Sequence, residues 1–131
     1  MVYVPPFDLM RRMVEVSTVR GELRVSLSYD DFVKILRMMI SGIEVDEKWY
    51  LATHEDIAKA VACGAVPSAK RHFVDDGYFE GRRPCPMPVN ERWYLEQYPD
   101  VAESVRKGVV GSAQQHFEED GYREGRLPFP L

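Results

Sequence analysis

The chain repeats itself. When Trp49-Tyr50-Leu51 is set over Trp93-Tyr94-Leu95, the alignment runs without a gap to Pro84 over Pro128. The offset is 44 residues, and 19 of the 36 aligned positions are identical. The identities include Asp56/Asp100, Gly64/Gly108, Ser68/Ser112, His72/His116, Phe73/Phe117, Asp76-Gly77-Tyr78 over Asp120-Gly121-Tyr122, and Glu80-Gly81-Arg82 over Glu124-Gly125-Arg126. A period of this size marks an arrayed supersecondary unit. Chance does not align glycines, prolines and aromatics together over such a length.

Each unit reads as three short helices. Asp46 and Asn90 are good N-caps just before Glu47-Lys48-Trp49 and Glu91-Arg92-Trp93. Pro99 suits the first turn of a second helix, where Asp56 or Asp100 complements the helix dipole. Gly64 and Gly108 stand where a left-handed residue would close it. Ser68 and Ser112 cap a third helix, with Ser112 and Gln115 at capping-box spacing. Gly77 and Gly121 are expected to end that helix with positive φ, and Pro84 and Pro128 to end the unit.

The second copy, with Trp93-Tyr94-Leu95, Tyr98-Pro99-Asp100-Val101-Ala102, Gly108, Ser112-Ala113, His116-Phe117, Gly121-Tyr122 and Glu124-Gly125-Arg126, resembles a bacterial short helical repeat. That repeat is found beside glycosyltransferase and polysaccharide-biosynthesis domains and in some large bacterial surface proteins. The first copy departs from the pattern where His54-Glu55 replaces Tyr98-Pro99. The resemblance covers about two-thirds of the chain. It implies an accessory interaction module and carries no catalytic residue over.

Residues 1–44 lie outside the repeat. Val14, Val16 and Thr18, then Leu23, Val25 and Leu27, alternate with polar residues around Arg20-Gly21, which reads as a β-hairpin. Ser28 caps a helix that runs through Phe32, Val33, Ile35, Leu36, Met38, Met39 and Ile40 to Gly42. A helix apolar on most sides requires burial on most sides. The expected fold is therefore mainly α within an α+β class: a hairpin and helix (1–44) packed on two tandem three-helix repeats (45–88 and 89–131), in one compact domain. The hairpin edges and the methionine-rich helix face offer an oligomerisation element, with Val14, Val16, Leu23, Val25, Phe32, Met38 and Met39 as the candidate interface of a homodimer.

The repeated residues Trp49, Trp93, His72, His116, Asp76, Asp120, Gly77, Gly121, Arg82 and Arg126 are read as the structural framework. Each histidine has only Asp76 or Asp120 one turn away, short of a ligand set, so no metal and no cofactor is expected. Its imidazole is expected to bond a backbone carbonyl or that aspartate. Arg82 and Arg126 are expected to clamp Asp76 and Asp120, which crowd a helix C-terminus; an acidic docking edge is the functional alternative. The repeated Trp and Tyr positions are core residues in one reading and a sugar-stacking platform in the other. No nucleophile elbow or phosphate-binding glycine loop is present, so no enzyme is expected.

A net charge of −4 and the break at Gln114-Gln115 in the basic pair Lys70-Arg71 argue against nucleic acid. No stretch suits membrane insertion, Met1 to Pro6 lacks the pattern of a signal peptide, and Cys63 and Cys85 do not occupy matching repeat positions, all of which fits the cytoplasm. The leading function is a protein–protein assembly module of a bacterial complex, its candidate partners being a second copy, a glycosyltransferase or a glycan. A carbohydrate-binding module is the alternative.

Overall fold

The computed structural model describes residues 2–131, so Met1 lies outside the described residues. The protein is mainly α with one two-stranded antiparallel hairpin. The chain divides into two compact units at Cys85–Pro86. The N-terminal segment and first repeat share one unit, and the second repeat forms the other, where the sequence reading groups all three into a single domain.

Unit one opens with α1 (Phe7–Arg12), a helix absent from the sequence reading. It follows Pro6 in extended conformation, with Asp8 in its first turn and Arg11 and Arg12 in its last, the order the helix dipole favours. Strands β1 (Glu15–Val19) and β2 (Glu22–Ser26) then pair with Val16 opposite Val25 and Thr18 opposite Leu23. Arg20 (φ 52°) and Gly21 (φ 79°) both take positive φ, the type I′ geometry that matches the twist of a two-residue hairpin. Helix α2 (Tyr29–Ile40) starts at Ser28, whose hydroxyl accepts from the Asp31 amide at 3.1 Å. At its far end the Tyr3 amide donates to the Gly42 carbonyl at 3.0 Å, and the Tyr3 carbonyl fills the place a Gly42 Cβ would need. The expected enclosure of α2 is not met. None of its residues is buried, and Phe32 and Met39 are 46% and 41% exposed. Val33, Ile35, Leu36, Met38 and Ile40 are half-buried, and Arg37 donates to the Asp75 carbonyl at 2.8 Å and lies over the Phe79 ring.

The first repeat comprises α3 (Glu47–Thr53), α4 (Glu55–Ala62) and α5 (Ala69–His72), with a π-helical turn over Phe73–Gly77. The second comprises α6 (Glu91–Gln97), α7 (Pro99–Arg106) and α8 (Ala113–His116), with a π-helical turn over Phe117–Gly121. The expected caps are made: Asp46 and Asn90 accept from Trp49 and Trp93, and Ser68 and Ser112 from Arg71 and Gln115. Gly64 (φ 78°) and Gly108 (φ 75°) close α4 and α7 in the left-handed region. The cores match position for position: Tyr50, Ile57, Ala69 and Phe73 in one, Tyr94, Val101, Ala113 and Phe117 in the other. Each repeat also closes on itself, the Asp46 amide donating to the Pro84 carbonyl and the Asn90 amide to the Pro128 carbonyl, both at 2.9 Å.

Candidate functional site

The repeated residues converge on one constellation per copy. Tyr50 is fully buried, its hydroxyl hydrogen-bonded to His72 Nδ1 at 2.9 Å, and Tyr94 meets His116 Nδ1 at 3.0 Å. Burial pushes both phenols up to about 12, so both hydroxyls keep their protons at neutral pH. The histidine partner is thus a tyrosine 22 residues upstream, rather than the expected carbonyl or aspartate.

Gly77 and Gly121 require a correction. Neither has positive φ; the left-handed residues are Gly81 (φ 81°) and Gly125 (φ 79°), four positions on. Gly77 is glycine because a Cβ would overlap the Tyr50 hydroxyl and press on His72, and Gly121 stands in the same relation to Tyr94 and His116. The repeated glycine makes room for the Tyr–His bond.

The arginine clamps also differ from expectation. Arg126 grips Asp100 with both terminal nitrogens at 2.9 and 2.7 Å, and its Nε donates to Glu124 at 2.6 Å. Arg82 does the same with Asp56 at 3.4 and 3.1 Å and Glu80 at 2.7 Å. Asp76 and Asp120 are exposed instead. Each arginine ties the first turn of α4 or α7 to the loop after the π-helical turn, a bidentate fork joining elements far apart in sequence. The hydrogen bond from Arg126 holds Asp100 at about 2, and that from Arg82 likewise lowers Asp56. Burial alone would lower Arg82, but its bonds to Glu80 and Asp56 outweigh that and raise it.

One position breaks the symmetry. The Tyr98 ring packs 4.7 Å from Tyr94, lies under Arg126, and its hydroxyl accepts from the Leu127 amide at 2.9 Å. His54 packs on Tyr50 at nearly the same distance, 4.6 Å, but is shorter; its Nε2 is buried with no hydrogen-bond partner among the described residues. Burial first, then the charge on Arg82, lowers the His54 pKa. Half-buried Trp49 and Trp93 border these rings, and Arg83 lies over Trp49 at 5.4 Å.

Among the described residues, no group of three or more His, Cys, Asp or Glu is placed to hold a metal, and no helix is long and apolar enough to cross a membrane. The open surface lies elsewhere in the first unit. A groove of about 400 Å³ runs between α1, the hairpin and α2, lined by Phe7, Met10, Val14, Val16, Leu23, Val25 and Ile35, with Arg11 at its rim. Phe32 and Met39 continue the Ile35 stripe along α2, whereas Met38 is half-buried. A second, more polar cleft of about 410 Å³ gathers Tyr29, Asp30, Asp76 and Phe79 around Arg37. No protein-family model, curated protein or solved structure matches the chain.

Proposed function

We propose that this chain is a non-catalytic interaction module that assembles or docks a larger bacterial complex, one that handles cell-surface polysaccharide, in the cytoplasm. The apolar groove of the N-terminal segment carries this reading. Phe7 and Leu23 are 77% and 78% exposed there, and contiguous exposed apolar surface on a folded chain marks a contact site. The polysaccharide link rests on the resemblance of the repeats, and the compartment on the free thiols Cys63 and Cys85. The repeated histidines are bonded to the repeated tyrosines and the repeated arginines to Asp56 and Asp100, which supports a framework role over catalysis.

The carbohydrate-binding alternative has less support: of its aromatic positions Tyr50 and Tyr94 are fully buried, Trp49, Trp93 and Tyr122 are half-buried, and Tyr78 alone is exposed. The test is capture from the native host at moderate salt, with the whole chain as bait and a second bait carrying Phe32→Glu and Met39→Glu. A partner held by the first bait and lost by the second is the expected result. Capture indifferent to these changes, or retention on immobilised glycan alone, would overturn it.

A further inference from the structure

The hairpin has a free edge on each side, and their chemistry differs. In a two-residue hairpin the pair flanking the turn, here Val19 and Glu22, exchanges both hydrogen bonds, and bonded pairs alternate from there. Arg24 and Ser26 thus turn their backbone groups toward β1. Leu23 and Val25 turn theirs outward, where nothing among the described residues pairs with them.

We infer that two copies of the chain pair β2 with β2 in antiparallel fashion about Leu23, joining two hairpins into one four-stranded sheet. This rests on the proposed interaction role and names its partner as a second copy. Charge favours this register over its two nearest neighbours. Glu22 and Arg24 lie on the same face of β2, as their ion pair at 3.0 Å shows. With Leu23 opposite the second copy's Leu23, each Glu22 faces an Arg24 across the two-fold axis in a non-hydrogen-bonded pair, where side chains approach most closely. A shift of two residues one way sets Arg24 against Arg24, and the other way Glu22 against Glu22; like charges directly opposite are unfavourable. The β1 edge has no such complement, since Glu15 is its single charged residue. The same two-fold keeps Leu23 and Val25, 78% and 57% exposed, on one face with their counterparts, so the apolar floor of the groove continues from copy to copy.

Sedimentation of the full chain at tens of micromolar tests the pairing. Wild type should sediment at twice 15.1 kDa. Arg24→Glu sets two carboxylates against each other across the two-fold and should return the mass to that of one chain, as should Glu22→Arg by setting two guanidinium groups together. The double variant Glu22→Arg with Arg24→Glu restores opposite charges and should restore the dimer. Leu23→Pro removes an outward amide while sparing the bonds to β1, and should also give a monomer. A monomeric wild type overturns the pairing, and so does an Arg24→Glu chain that keeps the dimer mass. A folded double variant that stays monomeric overturns it as well. Host capture lost with Phe32→Glu and Met39→Glu, alongside a monomeric wild type, would sink the self-pairing and spare the interaction role.

Discussion

The two repeats share a core and differ in what they show outside it. Val74, buried in the first repeat, is replaced by exposed Glu118 in the second, and Phe79, which stacks under Arg37, by Arg123. The first copy has adapted its π-helical turn to receive α2, while the second keeps charges at the same positions. Duplication has held fixed the residues that must touch each other and released those that touch something else. At His54, beside Tyr50, the change left a polar atom without a hydrogen-bond partner among the described residues.

The strongest test of the shared core is Gly77→Ala and Gly121→Ala. Each methyl would collide with a buried tyrosine hydroxyl, and each should cost about 3 kcal/mol, the upper range for overpacking. Because Trp49 and Trp93 fall one in each unit, urea unfolding followed by fluorescence in Trp93→Phe and Trp49→Phe backgrounds reads each repeat separately. Unequal losses would break the equivalence.

Tyr50→Phe and Tyr94→Phe come next. Each leaves a histidine nitrogen unpaired, at about 1–3 kcal/mol. Tyr50→Phe should cost more, since His72 is buried and His116 is half-buried and open to water. Equal costs would remove that distinction.

His54→Tyr should stabilise the first unit by about 0.5–1.5 kcal/mol by supplying the hydroxyl that Tyr98 uses on the Leu127 amide. It also carries a pH signature. The folded pKa of His54 lies below its ordinary value, so the unfolded chain binds the proton first as pH falls. The stabilising contribution is whole above about pH 6.5 and declines as pH drops toward the folded value. Thermal melts from pH 7.5 down to 5 should show this decline in wild type and less of it in His54→Tyr.

The smallest effect is expected for Arg126→Gln, at most about 1 kcal/mol for so exposed a carboxylate partner. Asp100 titrates at about 2 when folded, so its share of stability is present above about pH 4 and lost between there and 2. Acid melts of the variant should lack that component.

Much of this fold was legible because its signals are local. Ser28, Asp46, Asn90, Ser68 and Ser112 announce helix starts through their own short side chains, and Arg20-Gly21 announces a turn through its backbone freedom. What escaped depends on residues far apart in sequence. Identity between copies shows that Gly77 is constrained, but the constraint is the space of a hydroxyl 27 residues upstream, not a dihedral angle. Arg82 stands six residues from Asp76 and 26 from Asp56, yet the chain folds toward the latter. Helix α1 is six residues long, too short for apolar periodicity to register, although Pro6 and the order of its charges were visible signs.

The hydrogen bond from the Asn90 amide to the Pro128 carbonyl brings the entry and exit of the second repeat to one point, as Asp46 and Pro84 do for the first. A module with its two ends side by side can be spliced into a host loop without prying the flanking chain apart. Copy number then becomes something recombination can change in a single step, each new copy arriving with its own core already complete.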